Sequence, residues 1–446
     1  MARRAGRSGR AAAGLRALVM GALLWGTLPA SGAVAAPDVP SYAFADDVRD
    51  ASAATGTSGA VLLEPGATYK STLPGGEKAY YRLALDARST TYVAVTAVPR
   101  PGTTPAVGDG VSVSLQDADG GNCSSYDSAT IGAARSPQPV TAWAAREIRQ
   151  GMGLCQKAGT YYVVVERTDT GTDTSDDPWE LELAPVSEPP LMTGGATSGP
   201  GTWDSATPAP PAGEPVPRPG GTGFTAATAV DQGVWRDQMV PGETVFYKVP
   251  VDWGQQVYAE AGVASGGAGK DSATAYVVDA LELTLYNPVR AKVEARGIGY
   301  GGSQKTASLD PVPPVRYANR YAPADPVNSL RFAGSYYLVV HLAAQLADQF
   351  GDGPYEVTLR VRLGGTAQSG PGYAGRPVPS GIFGADAQGA GAGGSTATGD
   401  DPVMRAVAVA GIGTGSALLL FLGTWTLAAR RRASAQIRAN AQNPTA

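Results

Sequence analysis

The chain has 446 residues, with 35 lysines and arginines, 39 aspartates and glutamates, one histidine and two cysteines. A single histidine excludes a metal site built from several histidines. Removing the five arginines of residues 1–35 and the four of residues 430–446 from the 35 basic residues leaves 26 against 39 acidic ones, a net charge of −13, so we expect no nucleic-acid partner.

Residues 1–35 have the layout of a secretory signal peptide. The five arginines, with no acidic residue, precede an apolar run that closes in Ala33-Val34-Ala35, a small-x-small cleavage pattern. An N-terminal membrane anchor is the alternative, but the run is short and Pro29 interrupts it. We therefore expect export and removal of this segment.

Segments of the first half of the chain recur in the same order in the second half. Pro74–Val95 parallels Pro241–Ala261, and AGTYYVVVE at Ala158–Glu166 parallels AGSYYLVVH at Ala333–His341. Ordered matches of this kind indicate an internal duplication. The repeated segments are rich in valine, tyrosine and threonine and alternate with period two, which predicts an all-β chain with two tandem β-sandwiches, at 41–187 and 220–365. Of each tyrosine pair, one ring should point into the core and the other outward.

The two cysteines, Cys123 and Cys155, both lie in the part expected to be exported. An even count in an oxidising compartment predicts one disulfide.

An acidic segment, Asp169–Glu180, is a weak candidate for calcium binding. Its candidate ligands are Asp169, Asp173, Asp176 and Asp177. Gly171 and Thr174 depart from the EF-hand loop pattern, and a solvated β-hairpin tip is the simpler interpretation. No other cofactor is expected.

A long connection precedes the double-tyrosine strand in each copy, and long loops in compact domains are often functional. The connection of the first copy, Ser136–Glu147, contains Trp143, and that of the second copy is Asp310–Pro323. The second holds a basic and aromatic cluster: Arg316, Tyr317, Asn319, Arg320 and Tyr321. Arginine and aromatic residues are enriched in binding hot spots, so this cluster is a candidate recognition site. The alternative is a loop folded back over its sandwich.

Three further segments complete the expected organisation. A Pro/Gly linker spans 188–219 and a flexible Gly-rich stalk spans 366–403. A transmembrane helix is expected at 404–429, because the last 24 residues of this stretch carry no charge and three arginines follow. The arginines predict a cytoplasmic tail at 430–446 and an extracellular N-terminal part, in a single-pass protein of the cell membrane. Gly411 and Gly415 have GxxxG spacing, which allows a homodimer through this helix.

The strand motifs also resemble a known family. The pattern E/D-x-x-x-Y-Y-[RK], the strand VSVSLQDADG and the AG-[TS]-YY strand with PWELEL or PYEVTL are similar to the bacterial pre-peptidase C-terminal domain. The resemblance implies a jelly-roll β-sandwich of the kind appended to secreted enzymes or surface proteins, in which some members bind collagen or polysaccharide or hold calcium. The second copy, with YKVPVDWGQQV and PPVRYANR, resembles a module of membrane-anchored surface proteins of actinobacteria.

No catalytic constellation stands out. GxSxG is absent and the single histidine, His341, lies inside a predicted strand. We expect a non-catalytic binding or scaffolding protein of the bacterial envelope, engaging a protein partner or a cell-wall polymer through sandwich loops. One alternative is an accessory or remnant module of a secreted peptidase or other hydrolase, and another is a purely structural spacer.

Overall fold

The structure, a computed structural model, describes residues 39–123, 127–149, 151, 153–168, 177–192, 198–266 and 275–384. The expected signal peptide, transmembrane helix and cytoplasmic tail lie outside these residues, as do Gly411 and Gly415. None of the helices in the described ranges is long and apolar enough to cross a membrane.

The described residues are all-β apart from short helical turns. The first copy has the strands β1 (Arg49–Asp50), β2 (Val61–Leu62), β3 (Tyr69–Leu73), β4 (Lys78–Leu85), β5 (Thr90–Val98), β6 (Gly110–Gln116), β7 (Asp127–Thr130), β8 (Val140–Arg146), β9 (Gly159–Thr168) and β10 (Trp179–Glu188). The second copy has β11 (Val216–Pro217), β12 (Thr228–Ala229), β13 (Gly233–Met239), β14 (Thr244–Val251), β15 (Gln256–Val263), β16 (Val277–Tyr286), β17 (Lys292–Tyr300), β18 (Lys305–Ser308), β19 (Gly334–Leu342) and β20 (Tyr355–Gly364). The helices are α1 (Asp325–Asn328), α2 (Leu346–Phe350) and two 3₁₀ turns, Thr57–Gly59 and Tyr317–Tyr321.

Strand order confirms the duplication. The first copy forms sheet 1A, in the order β1-β3-β10-β5-β8, and sheet 1B, in the order β2-β4-β9-β6-β7. The second copy forms sheet 2A, β11-β13-β20-β15-β18, and sheet 2B, β12-β14-β19-β16-β17. Each strand of the second copy therefore holds the position of the strand ten places earlier. The chain is two sandwiches of one topology.

Alternating side chains build a separate core in each sandwich. In β4 the odd-numbered side chains Tyr81, Leu83 and Leu85 are buried, while the even-numbered ones face outward. The double-tyrosine strands behave as predicted: Tyr161 and Tyr336 are buried, and their hydroxyls donate to nearby backbone carbonyls. The inward ring fills core volume while its one polar group is satisfied.

The predicted disulfide is confirmed. Cys123 and Cys155 are joined, with their Cα atoms 5.4 Å apart. Cys123 belongs to the core of the first sandwich and Cys155 packs at its edge. The bond ties the segment after β6 to the segment before β9.

Sheet 1A of the first sandwich packs face to face on sheet 2B of the second. All nine residues of β5 are buried, because one face contributes to its own core and the other is covered by the second copy. Tyr92 on the covered face meets Phe332 edge to face, with ring centroids 5.2 Å apart. The four sheets thus stack in the order 1B, 1A, 2B, 2A. We call the contact between 1A and 2B the junction.

Two segments expected to be loose are packed instead. In the predicted linker, Val216–Pro217 pairs with β13, and the Asp204 carbonyl accepts a hydrogen bond from Gln256. In the predicted stalk, residues 366–384, which we call the strap, form bridges to the first sandwich, and the ring of Phe383 stacks on Phe332 at 4.8 Å. Both segments carry apolar side chains among their glycines and prolines, and burying those side chains orders the backbone. Residues 385–403 of the stalk lie outside the described residues.

Candidate functional site

A cleft of about 320 Å³ opens at one edge of the junction. The first copy lines it with residues 39–42, residues 98–99 and 101–104 at and after the end of β5, and Pro137–Pro139. The second copy lines it with Thr222, Pro241, Gly242, Thr244, Ala344, Gln345 and Asp348. Prolines recur in this lining and give it rigid walls, because their ring fixes the backbone φ angle. Ligand sites are found preferentially at such domain interfaces.

One residue of the lining, Gln345, has a buried amide oxygen. Oε1 of Gln345 is buried and accepts no hydrogen bond from any described residue. The amide of Gln138, on the opposite wall, already donates to Glu282 across the junction at 3.1 Å. A buried polar atom without a partner costs stability.

The only histidine joins the two sandwiches beside the cleft. Nε2 of His341 lies 2.8 Å from the hydroxyl of Ser136, and Nδ1 lies 2.9 Å from that of Thr244. The Ser136 hydroxyl also accepts a hydrogen bond from the backbone of Ala344. Burial lowers the pKa of His341 to about 3, so the imidazole is neutral near pH 7. Ser136 is buried too, which makes this contact structural.

A buried ion pair crosses the junction near its centre. Glu182 on β10 is fully buried and pairs with Arg290, which follows β16. The hydroxyl of Tyr42 donates to the same carboxylate at 3.2 Å, and the Arg290 guanidinium lies over the ring of Phe224. Burial works to lower the pKa of Arg290, but the charge and hydrogen bond of Glu182, together with Tyr42 and Tyr337, outweigh burial and the pKa rises.

A second buried ion pair joins the two copies directly and also binds a residue of the strap. Arg320 donates to Glu188 at 2.8 Å, and the hydroxyls of Tyr92 and Tyr373 donate to the same carboxylate at 2.8 and 3.0 Å. Tyr92 belongs to the first sandwich, Arg320 to the second and Tyr373 to the strap. The Glu188 carboxylate therefore accepts hydrogen bonds from the first sandwich, the second sandwich and the strap.

A third charged cluster lies nearby. Glu147 pairs with Arg331 of the second copy at 2.7 Å and with its own neighbour Arg149. Burial works to raise the pKa of Glu147, but the two arginines outweigh burial and the pKa lies below its ordinary value. The carboxylate stays charged and keeps the contact at neutral pH.

The structure brings the residues of the predicted recognition cluster to this junction. Asn319 is buried and its amide donates to the carbonyls of Pro314 and Leu330. The guanidinium of Arg320 lies 3.4 Å from the ring centroid of Tyr317, and that of Arg149 lies 5.3 Å from that of Tyr321.

Arg316 and Trp143 complete that set. Arg316 is exposed, and Trp143 is half-buried with the Arg331 guanidinium 5.5 Å from its ring. The loop of the second copy thus folds back and contacts the first sandwich. Asn319 is held within its own copy and Arg320 is committed to Glu188 of the first sandwich, which leaves Arg316 as the freest member for an outside partner.

The structure describes only one of the four candidate calcium ligands. Asp169, Asp173 and Asp176 lie outside the described residues. Asp177 has a carboxylate oxygen 3.8 Å from Arg100. In the described ranges no three acidic, histidine or cysteine residues form a group that could hold a metal ion, and calcium binding stays a prediction.

Sequence reasoning singled out part of this site and missed the rest. Ser136, Gln138 and Pro139 lie in the long connection of the first copy, Ser136–Glu147, whose length predicts a functional loop. Glu182 and Arg290 carried no signal, because a glutamate at an alternating strand position predicts a solvent-facing side chain. Gln345 follows β19, and its sequence neighbours give no indication of a cleft.

Comparisons with known proteins leave the family open. No family model and no curated protein matches the chain. Among solved structures, the N-terminal CBM22-1-CBM22-2 tandem domain of Paenibacillus barcinonensis Xyn10C is 10% identical, with 65% of this chain and 83% of that chain covered and a TM-score of 0.18. A putative secreted protein from Parabacteroides distasonis is 7% identical, with 69% and 91% covered and a TM-score of 0.16. The CUB1-EGF-CUB2 domain of human MASP-1/3 is 8% identical, with 66% and 99% covered and a TM-score of 0.16. Likenesses at these TM-scores assign no function, and the resemblance to the pre-peptidase C-terminal domain stays a prediction.

Proposed function

We propose that this chain is a non-catalytic binding scaffold of the bacterial envelope and that its ligand site is the cleft between the two sandwiches. The observation that carries the proposal is the junction itself. Two buried ion pairs, the partly buried Glu147–Arg331 pair and the His341–Ser136 contact hold the two walls of the cleft in one arrangement. A preformed site loses little conformational entropy when a ligand binds.

The lining supports an extended ligand that has both apolar and hydrogen-bonding groups. Proline rings offer apolar contact, and the threonines and Gln138 offer polar contact. A peptide segment of an envelope protein and a polysaccharide of the wall both have this character. The acidic balance of the chain argues against nucleic acid.

The proposed location is the cell surface. The apolar stretch 404–429 would anchor the chain and the arginines at 430–432 would keep the tail in the cytoplasm. The sandwiches would then face the wall, and the strap would set their position above the membrane.

The experiment uses the full chain in detergent micelles, with a cleft-filling variant, Thr104→Trp, and a matched control, Thr130→Trp, on the exposed edge strand β7. Each is incubated with two separate ligand sources, solubilised wall polymer and crosslinked envelope protein. We expect one source to be retained by the parent and by Thr130→Trp and lost by Thr104→Trp. Equal retention by all three proteins would show that the cleft is not the ligand site. Retention by none would overturn the binding function.

A further inference from the structure

The outer face of sheet 2A holds a segment of its own chain. Thr207–Pro211, from the predicted linker, lies across Tyr258, Glu260, Ser308, Arg360 and Arg362 and encloses a gap of about 70 Å³ against them. The carbonyl of Ala209 accepts a hydrogen bond from Nη1 of Arg362 at 2.9 Å. Upstream, the Asp204 carbonyl accepts one from Gln256 at 3.2 Å.

The same face of the first copy is a docking surface. In sheet 1A, Tyr92 pairs across the strands with Val186, and the second sandwich covers both. In sheet 2A the equivalent pair is Tyr258 with Arg362, and the linker lies over it. The module thus uses this face for contact twice. In the second copy an arginine replaces the valine, which changes what the face can hold.

The segment on this face has the features of a polyproline II ligand. Its sequence is Thr-Pro-Ala-Pro-Pro, and residues 201–212, all of them described, contain neither helix, strand nor turn. Pro208 and Pro211 are half-buried while Ala209 and Pro210 are exposed. Polyproline II has three residues per turn, so positions i and i+3 share one side. The observed burial follows that period.

The face supplies what such a ligand needs. Prolines lack an N–H, so a proline-rich segment offers carbonyl oxygens and apolar rings. The half-buried ring of Tyr258 provides an apolar platform and Arg362 donates to a carbonyl. Glu260 binds Arg360 at 3.1 Å and holds that side chain along the sheet. Aromatic surfaces with nearby donors are the common means of binding proline-rich peptides.

We propose that this face is a binding site for proline-rich extended peptide, occupied in cis by residues 207–211 and open to a proline-rich segment of a partner protein when the linker is displaced. The site is distinct from the cleft and does not depend on the function proposed for it. Because the linker is tethered, its effective concentration is of millimolar order, and it competes strongly with any free peptide.

The first test releases the linker without touching the face. The full chain carries Pro208→Ser, Pro210→Ser and Pro211→Ser, and the probe is a fluorescent synthetic peptide with the sequence of residues 204–213, followed by anisotropy. We expect the triple variant to bind the peptide at least tenfold more tightly than the parent. Adding Arg362→Ala and Tyr258→Ala to the variant should abolish the gain, and a peptide with serines for its three prolines should not bind. A gain below tenfold, or one unchanged by the face substitutions or by the serine peptide, would overturn the proposal.

The second test examines the cis contact in the parent chain. Arg362→Ala should release the linker, so that proteolysis within residues 204–213 becomes at least severalfold faster, while the exposed Arg316→Ala leaves the rate unchanged. An unaltered cleavage rate in Arg362→Ala means that the linker is not held by this face and contradicts the proposal. This measurement compares cleavage of one segment in folded proteins, so it stands even if the triple variant expresses poorly.

Discussion

Individual buried side chains give the junction its specificity, and His341 shows how. Its imidazole is held between Ser136 of one copy and Thr244 of the other, with Glu282 opposite it on β16. Burial keeps the ring neutral, with a pKa of about 3 against an ordinary 6.5. Between these values the unfolded chain binds a proton that the folded chain does not. The stability from this residue is therefore complete above pH 6.5 and is lost as the pH falls toward 3.

The lowered pKa of His341 predicts how the free energy of unfolding depends on pH. Urea unfolding of the full chain between pH 7 and pH 4 should show a stability loss that includes about 1.4 kcal/mol per pH unit from His341. His341→Gln, which cannot titrate, should lose stability less steeply by that amount. The carboxylates contribute to both curves and cancel in the difference. Parallel curves would show that the ring is solvated in the folded protein.

The Glu188 cluster allows a second prediction at the same scale. Arg320→Ala leaves a buried carboxylate with only tyrosine donors, and removal of one partner of a buried pair costs about 3–5 kcal/mol. Arg320→Met combined with Glu188→Gln removes both charges and should recover most of that loss. Arg316→Ala, on the exposed end of the same loop, should change the free energy of unfolding by less than about 0.5 kcal/mol. If Arg320→Ala and Arg316→Ala changed the free energy of unfolding by equally small amounts, the Arg320 side chain would be exposed to solvent and not buried against Glu188.

The strap is the element that departs most from expectation. A segment with many glycines and prolines predicts a flexible stalk, yet Tyr373, Ile382 and Phe383 bring apolar surface to the junction. Its backbone is also bonded, with the amides of Ala374 and Val378 donating to Pro190 and Ser187. Composition describes the average of a segment, whereas a few well-placed side chains decide whether it packs.

Phe383 should control whether the strap stays docked. Phe383→Ala removes its stacking on Phe332, and a loss of about 3 kcal/mol corresponds to roughly hundredfold faster local opening. Hydrogen exchange at the amides of Ala374 and Val378 should accelerate accordingly, while amides within β19 keep their rates. Arg376→Ala, an exposed change in the same segment, is the control. Uniform acceleration across β19 as well would mean that the strap and the sandwich open together.

At the scale of the whole molecule, the sequence predicts the modules and misses how they meet. Duplication, strands and the disulfide follow from patterns within each copy. The junction does not, since Glu182 and Glu188 find their arginines 108 and 132 residues away. One signal was present: β5 reads Thr-Thr-Tyr-Val-Ala-Val-Thr-Ala-Val, with small or apolar residues on both faces, which is typical of a strand covered on two sides. The cleft could not be predicted, because it exists only where the two copies meet.

The central claim is that the two sandwiches form one body with a fixed cleft. The most direct measurement is the distance distribution between spin labels at Arg82→Cys in sheet 1B and Thr306→Cys in sheet 2A, in the full chain, by pulsed dipolar spectroscopy. Both positions are exposed, and Cys123 and Cys155 are already paired. A fixed junction predicts a single narrow distribution that broadens when Arg320→Ala and Phe383→Ala are added. A broad distribution in the unaltered junction would mean that the sandwiches move independently, and the preformed cleft would have to be abandoned.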